Sequence, residues 1–345
     1  MPTPPARIIL SRTDNIGDVV LTLPMAGVIK QHYPQCEVLL LAQGYLAPVV
    51  EACPSVDGLI DWTPLSIGSS GSVAAALART ESDVIIHVFP NFTIARAAHS
   101  ANIPVRVGTR RRWYHWLTCN RLVPLTRRAS LAHESELNVR LLAPLGIPSD
   151  HLLADLVSFQ ELRPSSTSRQ AAARWLDDER FMVVLHPGSR GNGKEWPEQH
   201  YLDLVDRLPE ADYGIIVTGT AEEGSRFARL ASHDRTVDTT GRLDLAVLLA
   251  LLASADGVVA SGTGPLHLAA ACGTRTLGLF PTLAGPEGAN RWRPLGARAQ
   301  FLAFQEEEHR CGPGFTCPCM VALDVAQVAE VIEAWREDGR KRRGG

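Results

Sequence analysis

The sequence has no uninterrupted apolar run of about 18 residues and its mean hydropathy is close to zero, which excludes a helical membrane span. Its start, MPTPPARIIL, lacks a long apolar stretch followed by a small-residue cleavage site, so no secretory leader is expected. Cysteine is sparse and odd in number, 7 in 345 residues and scattered, which argues against a secreted disulfide scaffold. No charge of one sign dominates: 34 Lys and Arg stand against 37 Asp and Glu, a net of -3, and nothing global suggests a nucleic-acid partner. No repeat with a period of about 20–50 residues is visible. With 45% hydrophobic and 21% charged residues, collagen-like, coiled-coil and disordered readings fall away as well. What remains is a soluble, cytoplasmic chain long enough for two domains of about 150 residues each.

Short apolar runs alternate with longer amphipathic segments, the mark of parallel sheets joined by crossover helices. Strands are expected over 7–11, 37–42, 58–61, 83–88 and 104–108, with helices over 19–32, 72–79, 92–100 and 134–143. The second half repeats the grammar, with strands over 181–186, 213–218, 257–261 and 276–280. Its helices are expected over 197–208, 222–231, 243–253, 265–272 and 325–336, and a polar joint over 164–169 (PSSTSR) separates the halves. The fold class is therefore α/β: two Rossmann-like domains facing a central cleft, over 1–165 and 166–325, then a C-terminal helix and basic tail over 326–345. Ligands of such sheets bind at the carboxyl ends of the strands, so the strand-to-helix loops should hold the chemistry.

Four loops stand out. In SRTDNIGD (11–18), Gly17 can take a backbone shape that other residues resist. Asp18 at or near the helix N-cap reads either as a cap or as a general base, with Asp14 as the competing carboxylate. HPGSRGNGKEWP (186–197) joins three glycines to Ser189, Arg190 and Lys194, an anion cradle that departs from the P-loop pattern because Glu195 follows Lys194. SGTGPLH (261–267) frees the backbone at Gly262 and Gly264 around Thr263, and His267 one turn on reads first as a packing histidine. In VTGTAEE (217–223), Glu222 or Glu223 could accept from ribose hydroxyls or simply favour a helix N-terminus.

Between Arg96 and Arg128 there are eight arginines, the others being Arg106, Arg110, Arg111, Arg112, Arg121 and Arg127, and no Asp or Glu. Trp113, Tyr114 and Trp116 are interleaved. Against a net charge of -3, this asymmetry favours an anionic partner over a merely solvated face, and arginine's fork suits carboxylates and phosphates. Near the C-terminus, His309, Cys311, Cys317 and Cys319 could be drawn as a zinc site, although Cys-x5-Cys-x-Cys is not a usual finger spacing, and no metal is expected.

Taken in order, three blocks carry a resemblance: RIILSRTDNIGDVVLTLP, HPGSRGNGKEWP and ASGTGPLHLAAACGTRTLGLF, with weaker echoes in TGTAEE, RWRPLG and CPCM. Over nearly its whole length the chain resembles glycosyltransferase family nine, the ADP-heptose:lipopolysaccharide heptosyltransferases. The resemblance implies a GT-B fold with an activated-sugar donor on the C-terminal domain and an acceptor on the N-terminal one. It places the catalytic aspartate at Asp18, the phosphate-contacting hydroxyl and lysine at Ser189 and Lys194, and a backbone clamp at Thr263 and Gly264 near His267. Glu222 and Leu243 would meet the adenosine side. The family usually has Asp before the Thr-Gly pair, and Gly262 in its place leaves the donor sugar open. The chemistry implied is inverting transfer without metal or cofactor, with domain closure excluding water. The acceptor would be an anionic inner-core glycolipid of the Kdo-lipid A type, held by Arg96, Arg110, Arg111, Arg112 and Arg121, at the cytoplasmic face of the inner membrane. Transfer from another nucleotide sugar or to another acceptor, a GT-B epimerase of nucleotide sugars, and a non-catalytic sugar-nucleotide-binding protein are the rival readings.

Overall fold

The computed structural model describes residues 4–127, 132–189, 191, 193–285, 287–305, 312 and 314–343, with backbone alone over 340–343. The chain divides into two compact units, one ending at Arg163 and one beginning at Pro164. The first holds a six-stranded sheet of β1 (Arg7–Ser11), β2 (Glu37–Ala42), β3 (Gly58–Asp61), β4 (Val84–His87), β5 (Val105–Thr109) and β6 (Arg121–Val123), in the order β3-β2-β1-β4-β5-β6. Every pairing is parallel. This is the doubly wound order, in which the chain starts centrally, winds outward, then returns to wind the other way.

The second unit does the same with β7 (Phe181–His186), β8 (Tyr213–Val217), β9 (Thr236–Asp238), β10 (Gly257–Ser261), β11 (Arg275–Phe280) and β12 (Ala299–Ala303). Its order, β12-β11-β10-β7-β8-β9, is the first unit's pattern read from the other edge, again all parallel. The switch points therefore fall between β1 and β4 in one unit and between β7 and β10 in the other.

The central strands form because helices cover both sheet faces, so their side chains are apolar without alternation. Ile8, Ile9 and Leu10 of β1 are buried together, as are Val183, Val184 and Leu185 of β7. Each such side chain contributes about 1.5–3 kcal/mol when taken out of water. The last helix, Val325–Arg343, closes the second unit's core through Val328, Ile332 and Trp335, which pack with Trp196, Tyr201 and Leu277. No described helix is long and apolar enough to cross a membrane.

Several elements differ from expectation. The helix expected over 19–32 is two helices, Ile16–Val20 and Leu23–His32, because Pro24 at the start of the second cannot donate to the preceding turn. Gly17 lies inside the first with an ordinary negative φ, so its conformational freedom is not used. The polar joint is itself helical: Ser165 caps Ser166–Ala173 by accepting the Ser168 N–H at 3.1 Å. The helix expected over 222–231 breaks at Phe227 into Ala221–Arg226 and Ala228–Ala231. Leu243 falls just outside its helix, which runs Leu245–Ser254 behind an Asp244 cap. Pro197 precedes Glu198–Arg207 as its N-cap. β6, β9 and β12, all edge strands, were not foreseen.

Candidate active site

In the first unit, Ser11 ends β1 and His87 ends β4, directly paired across the switch point. His87 is wholly buried, and burial, reinforced by neighbouring His115, drives its pKa down to about 3. Its ring stacks on that of His115 at 5.5 Å between centroids. The chain leaves β1 through Arg12, whose guanidinium is almost completely buried and meets three carboxylates. Its Nε donates to Asp14 at 2.7 Å, one terminal nitrogen to Glu134 at 3.0 Å, and the other to Asp18.

Glu134 has no exposed surface and also accepts from Arg127 Nε at 3.0 Å. It is fixed by local structure. His133 Nδ1 accepts the Ser135 N–H while Glu136 accepts the His133 N–H, a capping box that starts the Glu134–Val139 helix. Ser135 and Asn138 of that helix then donate to the Leu21 carbonyl at 2.9 and 3.1 Å, tying it to the end of the helix that bears Asp18. Asp18 is the third residue of that helix and not its cap; the cap position is Asn15.

Three carboxylates thus face two guanidiniums, an excess of one negative charge when all are ionised. Burial would lower the Arg12 pKa, but Asp14, Asp18 and Glu134 outweigh it and raise it. The excess falls on Asp14, whose pKa burial pushes up to about 6 with help from Asp18 and against the pull of Arg12. Asp18, in the first turn of the helix that follows β1 and still partly open to solvent, can accept a proton from a hydroxyl, and the Arg12 guanidinium fixes its position. Arg12 and Glu134 escaped the sequence reading. The signal for Arg12 was a lone arginine directly after a buried strand; Glu134 lies 122 residues away from it.

In the second unit the loops after β7 and β10 flank the switch point and touch. A Cβ on Gly193 would stand 3.3 Å from the Gly262 carbonyl oxygen, so the two glycine-rich backbones meet with no room for more than a modest side chain. Thr263 is the N-cap of Gly264–Ala271, and its buried hydroxyl has no hydrogen-bond partner among the described residues. Pro265, the second residue of the helix, offers no N–H, so an anion at this end would rely on the Thr263 hydroxyl and the amides of Thr263, Gly264 and Leu266. His267 is buried one turn in.

The first loop is braced from below. Glu195 accepts the Ser189 N–H at 2.6 Å and a two-pronged pair from Arg226 at 2.8 Å on each oxygen. Arg226 also donates to the Ser189 carbonyl at 3.1 Å and lies 4.2 Å over the Phe315 ring. The residue that spoils the P-loop pattern is therefore the loop's own anchor, another role that the sequence reading missed. Ser189 Oγ donates to the Gly193 carbonyl at 2.8 Å. Lys194 is buried, its Nζ donating to the Gly312 and Gly314 carbonyls at 2.6 Å each, which leaves one of three donors for a ligand. Arg190 lies outside the described residues.

Of the two acidic candidates in the loop after β8, Glu223 is committed to a capping box, taking the Thr220 N–H at 2.7 Å. Glu222 beside it is exposed. Leu243 is half-buried, two residues after Gly241, at which a Cβ would stand 2.9 Å from the Ala221 Cβ; the two candidate adenosine contacts thus lie on neighbouring turns. A Cβ at Gly262 would stand 2.8 Å from Phe280 Cε1, so the ring occupies the space an aspartate would need.

The arginine stretch separates by role. Arg106 is spent on the Thr118 and Ile103 carbonyls, and Arg127 on Glu134 and Asn138. Arg96, Arg110, Arg111, Arg112 and Arg121 are exposed; Arg128 lies outside the described residues. So do His309 and Cys311, while Cys317 and Cys319 are buried in the second unit's core. No cluster of three or more metal-ligating side chains occurs among the described residues.

Residues 71–318 match the model of glycosyltransferase family 9 (heptosyltransferase). Lipopolysaccharide heptosyltransferase 2 of Escherichia coli is 26% identical over 321 residues, 87% of this chain and 88% of that one. A glycosyl transferase family 9 structure from Veillonella parvula superposes with a TM-score of 0.81 at 18% identity, covering 96% of this chain and 98% of that one. The E. coli heptosyltransferase WaaC with ADP does so at 0.69 and 18% identity, covering 95% and 99%.

Proposed function

The chain belongs to glycosyltransferase family 9, the heptosyltransferases, and is a transferase; from that we propose that it moves a heptose from ADP-heptose to an anionic inner-core acceptor of lipopolysaccharide, by inversion and without a metal or other cofactor. The observation that carries this reading is the pair of touching glycine loops at the second unit's switch point, the second ending on a helix N-cap, Thr263, whose buried hydroxyl has no hydrogen-bond partner among the described residues. A diphosphate suits such a place: the two adjoining loops supply backbone N–H groups, the Thr263 hydroxyl and the remaining Lys194 donor. The solved relative with ADP supports adenosine diphosphate as the leaving group.

The reaction balances simply. Asp18 takes the proton of the acceptor hydroxyl as its oxygen bonds to the anomeric carbon. The bond from that carbon to the diphosphate breaks on the opposite face, and ADP leaves with the electron pair. Lys194 and the Thr263–Gly264 amides meet the growing negative charge where it appears, whereas Ser189, its hydroxyl given to the Gly193 carbonyl and its N–H to Glu195, joins them only by releasing one of those bonds. Glu222 and Leu243 hold the adenosine. Arg96, Arg110, Arg111, Arg112 and Arg121 give the first unit an electropositive face for a carboxylated or phosphorylated acceptor at the cytoplasmic side of the inner membrane.

The test is a thermal-shift panel of ADP, UDP, GDP and CDP, each with and without a chelator. ADP at about 100 times its dissociation constant should add about 2.7 kcal/mol, and the chelator should change nothing. Lys194→Ala should weaken ADP binding about 10- to 100-fold, the worth of one charge-assisted bond. A shift with UDP or GDP in place of ADP would move the donor, with Gly262 and Phe280 the first residues to re-examine. No shift with any nucleotide would sink the reading.

A further inference from the structure

The arginine stretch contains a feature that acceptor recognition does not use. Trp113, Trp116 and Leu117 follow helical i, i+3, i+4 spacing through the turn that runs into the His115–Thr118 helix, so they share one face. On a core helix that face would point inward. Here it points outward: Trp113, Trp116 and Leu117 are 69%, 61% and 72% exposed, while His115, Thr118 and Cys119 on the opposite side are buried.

The outward face is held in place. The Trp116 indole N–H donates to the Arg110 carbonyl at 3.1 Å, so its only polar atom is satisfied internally and its ring presents apolar surface alone. Trp113 packs on half-exposed Phe92 at 5.9 Å between centroids, and Tyr114 wedges against both rings from the side. Directly before this face come Arg110, Arg111 and Arg112, all exposed, with no hydrogen bond or ion pair to their guanidiniums among the described residues. No Asp or Glu occurs from 96 to 128 to neutralise them.

We propose that this turn, with Trp113, Trp116 and Leu117 at its tip and Arg110, Arg111 and Arg112 at its base, is the surface by which the first unit docks on an anionic phospholipid bilayer. Two indoles and a leucine on a short rigid turn suit the boundary between headgroups and acyl chains, where amphipathic aromatic rings concentrate. Three arginines beside them match the negative surface of that boundary. A glycan acceptor would engage the cations but has no use for a protruding leucine. The inference deepens the reading above, since a lipid-borne acceptor would be met at such a surface, but it concerns adhesion and not transfer.

The test is flotation of the full chain with phosphatidylcholine vesicles, with and without phosphatidylglycerol. The chain should float with the anionic vesicles and be released by raised salt. Trp113→Ala, Trp116→Ala and Leu117→Ser together, and separately Arg110→Gln, Arg111→Gln and Arg112→Gln together, should each lower partition about 100-fold, in keeping with three interfacial groups lost. Both variants should keep the wild-type melting temperature and ADP shift, so a failure here stands apart from a failure of the transferase reading. The proposal is overturned if the wild type stays in the aqueous fraction, if either variant floats as well as it does, or if sedimentation shows a dimer that the apolar variant splits, which would make the face a self-interface.

Discussion

Replacing Asp14 by asparagine exposes the charge imbalance around Arg12. The Asp14 carboxyl is raised from 3.8 to about 6, chiefly by burial, then by the neighbouring Asp18, with Arg12 pulling the other way. Between those values the folded chain keeps a proton that the unfolded chain has lost. Stability from this group is therefore fully present below about pH 4 and is lost as pH rises through about 6. At 1.36 kcal/mol per tenfold in protonation, the loss at neutral pH is about 3 kcal/mol. An asparagine mimics the protonated acid and can still accept from Arg12 Nε. Urea titrations should show the variant equal to the wild type near pH 4 and about 2–3 kcal/mol more stable above neutrality, a midpoint shift on the order of 1 M. Taking the difference removes His87, whose lowered pKa makes stability rise with pH over the acid range in both proteins. A difference that does not vary with pH, or a variant less stable at neutral pH, refutes the arithmetic. With Asp18 as the proposed base, transfer should survive within about tenfold; a loss of about two decades would hand that role to Asp14.

Glu134→Ala leaves buried Arg12 and half-buried Arg127 around a missing partner and should cost about 3–5 kcal/mol, read as a lowered melting temperature, whereas Glu134→Gln keeps an acceptor and should cost less. Gly262→Asp brings a Cβ to 2.8 Å from the Phe280 ring and should cost about 1–3 kcal/mol, with Phe280→Leu recovering most of the melting temperature.

The central strands of both units were legible because burial on both faces leaves their middles uninterruptedly apolar: RIILS and FMVVLH can be read directly. The missed strands all lie at sheet edges. RLV and TVD have three residues each, and AQFLA mixes polarity because an edge is half wet, so neither length nor pattern marks them. Pro24 gave a clear break signal within the apolar run that follows Asp18. At the site, local features were visible and long-range ones were not. The glycine loops and Asp18 announce themselves by composition, whereas the Arg12–Glu134 pair joins residues far apart in sequence. The Glu195–Arg226 brace spans the helix Glu198–Arg207, strand β8 and the helix that ends at Arg226, and only the fold brings its ends together. The arginine stretch reads as one basic block in sequence, yet folding diverts Arg106 and Arg127 inward and leaves Arg96, Arg110, Arg111, Arg112 and Arg121 exposed.

The most direct measurement is the transfer rate of Asp18→Asn with ADP-heptose and a lipopolysaccharide inner-core acceptor, beside its ADP thermal shift. The account predicts a rate at least about two decades below wild type with the ADP shift intact, since the general base is lost while the diphosphate loops lie on the other unit. Wild-type turnover in that variant would contradict it.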